Sequence, residues 1–227
     1  MLPLTAAELP LGILLLLACY FVVQRSLGAE HQPVTVLLGL LLGFAAMGVA
    51  TLLEVWLGLR LPGGPLTVPE GLGLGLVVAI PTVALNALLI LWRATPLDAG
   101  HAGSAAGSGF ALARLMSFAV SGMQIHLVTL EEVLLGVPFV LLSMLMAYSV
   151  SLALALGRDR HRLALAAVLA ALLLTLNLTA DRVLMLMFGA FVAYEVVAIL
   201  LAAGIIVLVL RAYREARPSA EPIDALL

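Results

Sequence analysis

The stretch VTVLLGLLLGFAAMGVATLLEVWLGL, residues 34–59, contains a single charged side chain, Glu54. A helix of roughly 20 apolar residues crosses the hydrocarbon layer of a bilayer. A helix at the surface of a soluble core keeps a polar face, and this stretch has none. It reads as a transmembrane helix. The same test, applied outward, marks Ala6–Val23 before it. After it come Leu72–Trp92, Phe110–Leu130, Val133–Leu156, Leu163–Thr179 and Val183–Leu210. The expected fold class is all-α, a polytopic integral membrane bundle of seven transmembrane helices. The fourth span carries Arg114, Gln124 and His126, and the sixth is short, so six spans is the alternative count.

The whole chain agrees with its most apolar piece. Of 227 residues, 64% are hydrophobic and 11% charged, with a mean hydropathy of +1.22. Soluble domains are about half apolar and a quarter charged, so the excess apolar surface must face lipid. A net charge of −2 provides no basic footprint for nucleic acid. Cys19 is the sole cysteine and cannot form an internal disulfide.

All eleven basic residues are arginine. Arginine excess on cytoplasmic loops sets membrane orientation. With the N-terminus outside and seven crossings, Arg25, Arg93, Arg114, Arg158, Arg160, Arg162, Arg211, Arg214 and Arg217 fall on the cytoplasmic side, against Arg60 and Arg182 outside. A six-span chain lacking the fourth segment would put Arg25 and Arg93 on the side opposite residues 158–162 and the C-terminal arginines. Seven spans with a cytoplasmic C-terminus is therefore the expected topology. The missing lysine removes retinal as a cofactor, because the pigment's Schiff base needs an amine. Arginine used to the exclusion of lysine fits GC-rich prokaryotic coding, so the expected location is the inner or plasma membrane of a prokaryotic cell.

The connections are short except after the third span. Residues 1–93 are expected to hold the first three helices, and 94–109 a flexible cytoplasmic linker that includes GSAAGSG at 103–109. Residues 110–210 would hold the last four helices and 211–227 a polar tail. Gly39 and Gly43 form a GxxxG pair in the second span, with Gly48 beyond it, a spacing that lets helix backbones touch. Pro81 removes a hydrogen bond inside the third span, and Asn86 follows it.

Charged and polar residues at membrane depth mark ion pathways, relays or partner contacts. Glu195 is the foremost. Counted from Val183, it stands twelve residues into its helix, roughly 18 Å at 1.5 Å per residue. Tyr194 precedes it, and Glu54, His126, Gln124 and Asn86 complete the candidate pathway. Glu131, Glu132, Asn177 and Asp181 form an expected cluster toward the outer face. His126 is the weak metal candidate. The acids of HLVTLEE follow it at five and six residues, neither squarely on its face, and no HExxH or ExxH occurs, so a structural histidine is the expectation. His31, His101 and His161 are expected in loops, which leaves no pair for a haem. Met144 and Met146, two residues apart, do not share a helix face.

The final segment, AYEVVAILLAAGIIVLVLRAYREARPSAEPIDALL from Ala193, carries an acid in a late helix that runs into a basic, then acidic, tail. In this it resembles the small proton-path subunits of respiratory complex I and of membrane-bound hydrogenases. The resemblance covers about the last seventy residues and implies a proton-path role for Glu195 and partner subunits in the membrane. It departs from the family where a Glu-Asn-Gly segment should stand, since this chain reads AAVLAALLLTL at 166–176.

Three readings follow. The first is a transporter or channel in which intramembrane acids handle a proton or cation. The second is a non-catalytic subunit of a larger respiratory or hydrogenase-like complex, its partners being the bilayer and either other membrane subunits or a second copy. The third is an enzyme acting on lipids or isoprenoids. It ranks last because adjacent acids such as Glu131 and Glu132 point apart on a helix.

Overall fold

A computed structural model describes residues 8–27, 32–57, 67–93, 99–121, 130–184 and 188–216. Among the described residues the chain is entirely helical, in seven elements: α1 (Glu8–Leu27), α2 (Pro33–Trp56), α3 (Val68–Arg93), α4 (Ala99–Ser121), α5 (Leu130–Asp159), α6 (Leu163–Leu184) and α7 (Phe188–Ala216). Five stretches within α2, α3, α5, α6 and α7 are long and apolar enough to cross a membrane.

Local chemistry sets several boundaries. Pro33 opens α2, where a missing N–H is harmless and φ is already helical. Glu70 reaches back to cap the start of α3, with the Thr67 amide and hydroxyl donating to Glu70 Oε2 at 2.8 and 2.7 Å. The α3 helix then runs through Pro81 to Arg93. Between α5 and α6, His161 adopts a left-handed φ of 55°. The Arg162 amide donates to Gly157 O at 2.6 Å and the His161 amide to Arg158 O at 3.0 Å. This is a Schellman motif, which satisfies helix-end carbonyls and reverses the chain in a few residues.

The bundle is inverted relative to a soluble one. The buried face of α2 is Thr35, Gly39, Gly43, Ala46 and Ala50, whereas Leu37, Leu41, Phe44 and Leu52 point outward. Lipid tails are as apolar as leucine, so large side chains gain nothing by hiding from them. Close backbone packing between small residues is what holds such helices together.

At the centre of that packing stands α4. Residues 102–111 are buried without exception, and the helix packs most extensively on α2 and α5. The region expected as a flexible linker, 94–109, is therefore a packed helix from Ala99 onward. Its glycines, alanines and serines are interface residues. A Cβ on Gly103 would meet Ala155 Cβ at 2.7 Å, and one on Gly107 would meet Tyr148 Cδ1 at 3.1 Å. Gly39 and Gly43 face the same helix, their Cβ positions lying 2.9 Å from Ala106 O and 2.6 Å from Ala113 Cβ. Gly48 differs from them. Outside its own helix, no atom of the described residues lies within 4 Å of a Cβ placed there, and Gly48 is exposed.

Contact pairs give the helix directions. Gly39 meets Ala106 and Gly43 meets Phe110, so α2 and α4 run parallel. Gly103 meets Ala155 and Gly107 meets Tyr148, so α4 and α5 are antiparallel, as are α3 and α6 through the pairs Gly71–Thr179 and Gly75–Thr175. At one end of the bundle, His101 Nε2 lies 3.3 Å from Leu27 O and Arg93 Nε donates to Thr35 Oγ1 at 3.3 Å. His101 thus belongs to the first turn of α4, not to a loop. Arg25, Arg93, Arg158, Arg160, Arg162 and Arg211 gather at this end.

Among the described residues, three apolar clusters fill the interior. Met144 belongs to the one around Tyr148, and Met146 to the one with Leu142, Ala198 and Ala202. The two methionines serve different interfaces, as their spacing requires.

Candidate functional site

Five helices, α2 to α6, leave a cavity of about 50 Å³ between them. Its polar lining is Thr82 and Asn86 of α3, Arg114 of α4, Ser143 of α5 and Asn177 of α6. Gly43, Met47, Phe110 and Met146 are among the apolar residues that close it. The residues that line it are spread along the bundle axis. In the α3–α6 register, Asn177 stands level with the first turns of α3. Asn86 lies thirteen residues further along that helix, roughly 20 Å at 1.5 Å per residue.

Asn86 is 1% exposed. Its Nδ2 donates to Ser151 Oγ at 2.6 Å, and Ser151 Oγ donates in turn to Ala147 O at 2.8 Å. Asn86 Oδ1 makes no hydrogen bond to any described residue. At the other end of the cavity, Tyr194 OH of α7 donates to Asn177 Oδ1 at 2.6 Å and approaches Asn177 O at 3.1 Å. A polar file therefore runs from Tyr194 through Asn177 and the cavity to Asn86 and Ser151. A second buried pair, Ser108 and Tyr148, joins α4 to α5 at 2.7 Å, with Ser108 Oγ also donating to Ser104 O at 2.9 Å.

Glu195 is buried at 2% exposure and follows Tyr194 in α7. The described helix begins at Phe188 rather than Val183, so Glu195 stands seven residues, roughly 10 Å, from that end and not 18 Å. It is not among the cavity-lining residues. Glu54 sits half-buried two residues before the end of α2, and no described hydrogen bond or ion pair ties it to the cavity. Gln124 and His126 lie outside the described residues. Glu131 and Glu132 open α5, and Asp181 stands in the last turn of α6, but their side chains also lie outside the described set. Among the described residues no three His, Cys, Asp or Glu side chains come together.

Arg114 is the residue that sequence reasoning misplaced. It was expected among the cytoplasmic arginines because 94–109 was read as a linker. With α4 starting at Ala99, Arg114 lies fifteen residues, roughly 22 Å, along the helix and reaches the cavity. Thr82, Ser143 and Ser151 were not singled out either; the hydroxyls of Thr82 and Ser151 bond back to their own helix, which leaves no pattern in sequence. The signal that could have located Arg114 is the small-xxx-small spacing of Gly103 with Gly107 and Ala105 with Gly109, which marks a helix interface.

Comparison of the chain with family models, curated proteins and solved structures returned no match. The apolar helices make it a multi-pass membrane protein on their own physical evidence.

Proposed function

We propose that the chain is a seven-span protein of a prokaryotic cell membrane, N-terminus outside, that passes protons through the polar file in its bundle. The arginine-bearing end is the cytoplasmic one on the positive-inside principle. The alternating directions of the packed helices and the placement of α4 as a central element favour seven crossings over six. The single observation that carries the proton reading is the narrow cavity linking Asn177 to Asn86.

Size and charge both bear on the cargo. One water needs about 10–15 Å³ of such space, so this cavity suits a few waters and no lipid or isoprenoid chain. A proton moves between hydroxyls, amides and water without a bulky carrier, which suits a lining of hydroxyls and amides. Glu195 is the titrating acid in this reading, and Tyr194 with Asn177 connects its helix to the cavity. Arg114 supports a second reading, in which the cavity takes a small inorganic anion.

Proteoliposomes loaded with a pH-sensitive dye, and in parallel with a chloride-sensitive dye, distinguish the two. Proton flux that exceeds protein-free vesicles, and that Glu195→Gln lowers to their level, supports the first. Chloride flux abolished by Arg114→Gln but untouched by Glu195→Gln supports the second. Purified, folded protein that moves neither ion refutes both.

A further inference from the structure

A second and larger hollow opens on the bundle surface at the arginine-bearing end. It has a volume of about 460 Å³ and lies between α5, α6 and α7, within the range of about 300–1,000 Å³ that holds organic ligands. Its walls are apolar, including Ala153 and Leu156 of α5, Leu169 and Leu173 of α6, and Ile205 and Val209 of α7. The one uncharged polar side chain in the lining, Ser149, is occupied by its bond to Met146 O at 3.0 Å. From Leu165 to Leu173 the groove runs roughly 12 Å along α6 toward mid-membrane.

Two arginines stand at its mouth. Arg160 and Arg162 both line the groove and both are exposed. Asp159 pairs with Arg158 at 4.0 Å and attracts Arg160 at longer range, while neither Arg160 nor Arg162 makes an ion pair within 4.0 Å among the described residues. The Schellman turn around His161 fixes their backbone, and close contact between Gly157 and Ala166 holds the α5–α6 corner shut. Two arginines thus stand on a fixed backbone at one end of an apolar slot.

We propose that this groove binds an anionic glycerophospholipid, with an acyl chain between α5, α6 and α7 and the phosphate on Arg160 and Arg162. Charge complementarity selects the occupant. Basic pockets between helices at the headgroup level attract anionic lipid, and arginine binds phosphate oxygens in a fork. Free phosphate would leave the apolar walls unused. A helix from a partner would have to bring an acid to each arginine.

The test uses the full chain, purified and delipidated in a neutral detergent, with lipid binding read by native mass spectrometry. Dioleoylphosphatidylglycerol should bind more tightly than dioleoylphosphatidylcholine. The Arg160→Gln/Arg162→Gln protein should lose that preference, by on the order of 30-fold for two arginines. Ala153→Trp, which fills the slot, should weaken both lipids. Should that variant fail to fold, the exposed arginine pair still decides the matter. Equal affinity for the two lipids overturns the proposal, as does an unchanged preference in the double variant. So does displacement of the lipid by excess glycerol 3-phosphate, which would mark a site for free phosphate. Efficient disulfide cross-linking of Ala153→Cys between copies, undiminished by added lipid, would assign the groove to a second copy and overturn it too.

Discussion

Replacing Gly109 by alanine tests whether backbone contact between α2 and α4 holds the bundle together. A Cβ there would lie 2.5 Å from Leu40 N and 2.6 Å from Gly39 C, both backbone atoms of α2 that cannot turn aside. Restoring ordinary van der Waals distance moves the helices apart by roughly 1 Å, and overpacking of this kind costs about 1–3 kcal/mol. Alanine recovers up to about 1 kcal/mol through its better helix propensity, so the net loss is about 1–2 kcal/mol. At this chain length each kcal/mol moves Tm by about 2–4 °C, which predicts a fall of about 2–8 °C. Gly48→Ala is the matched control, since a Cβ there meets nothing within 4 Å. It gains the propensity without the clash, for a rise of about 0–4 °C. The assay is apparent thermal unfolding of both variants in one detergent, followed by loss of the monodisperse species. If Gly109→Ala melts with the wild type, or if Gly48→Ala falls as far, close packing of α4 is not what stabilises the fold.

Tyr148→Phe removes the 2.7 Å bond to Ser108, which keeps its bond to Ser104 O. The same melting assay should show a loss of about 0.5–1.5 kcal/mol, while Tyr148→Ala, which also opens a hole, should cost several-fold more. Asn86→Leu replaces a cavity-lining amide by an apolar group of similar size and leaves Ser151 its bond to Ala147 O. It should change stability by less than about 1.5 kcal/mol, yet abolish ion flux in proteoliposomes. Flux at the wild-type rate in a folded Asn86→Leu protein would remove Asn86 from the pathway.

How far the site was legible varies residue by residue. Asn86, Asn177 and Tyr194 stood out because an amide or phenol is rare and costly in an apolar span, and the tertiary structure places all three along one file. Glu195 and Glu54 stood out for the same reason, yet Glu54 sits apart near the end of α2. Rarity marks a residue but says nothing of its neighbours. Arg114 was visible as a charge and was assigned to the wrong depth, because a run of glycine, serine and alanine looks the same whether it is a solvated linker or a helix wrapped by others. Composition reports what a segment avoids, and α4 avoids bulk as a linker avoids hydrophobicity.

The sequence by itself determined that this chain is a helical membrane protein. That property depends on the length and apolarity of single segments, which the bilayer reads one at a time. The alternation of helix directions followed from the short connections, which are also local. Only the tertiary structure decided that α4 is the core, that Gly48 faces outward while Gly39 and Gly43 do not, and that Arg114 shares a cavity with Asn86 and Asn177. Those facts depend on which faces of separate helices meet. In a bilayer the apolar outer faces are interchangeable to the solvent, so hydropathy cannot choose among them and shape must.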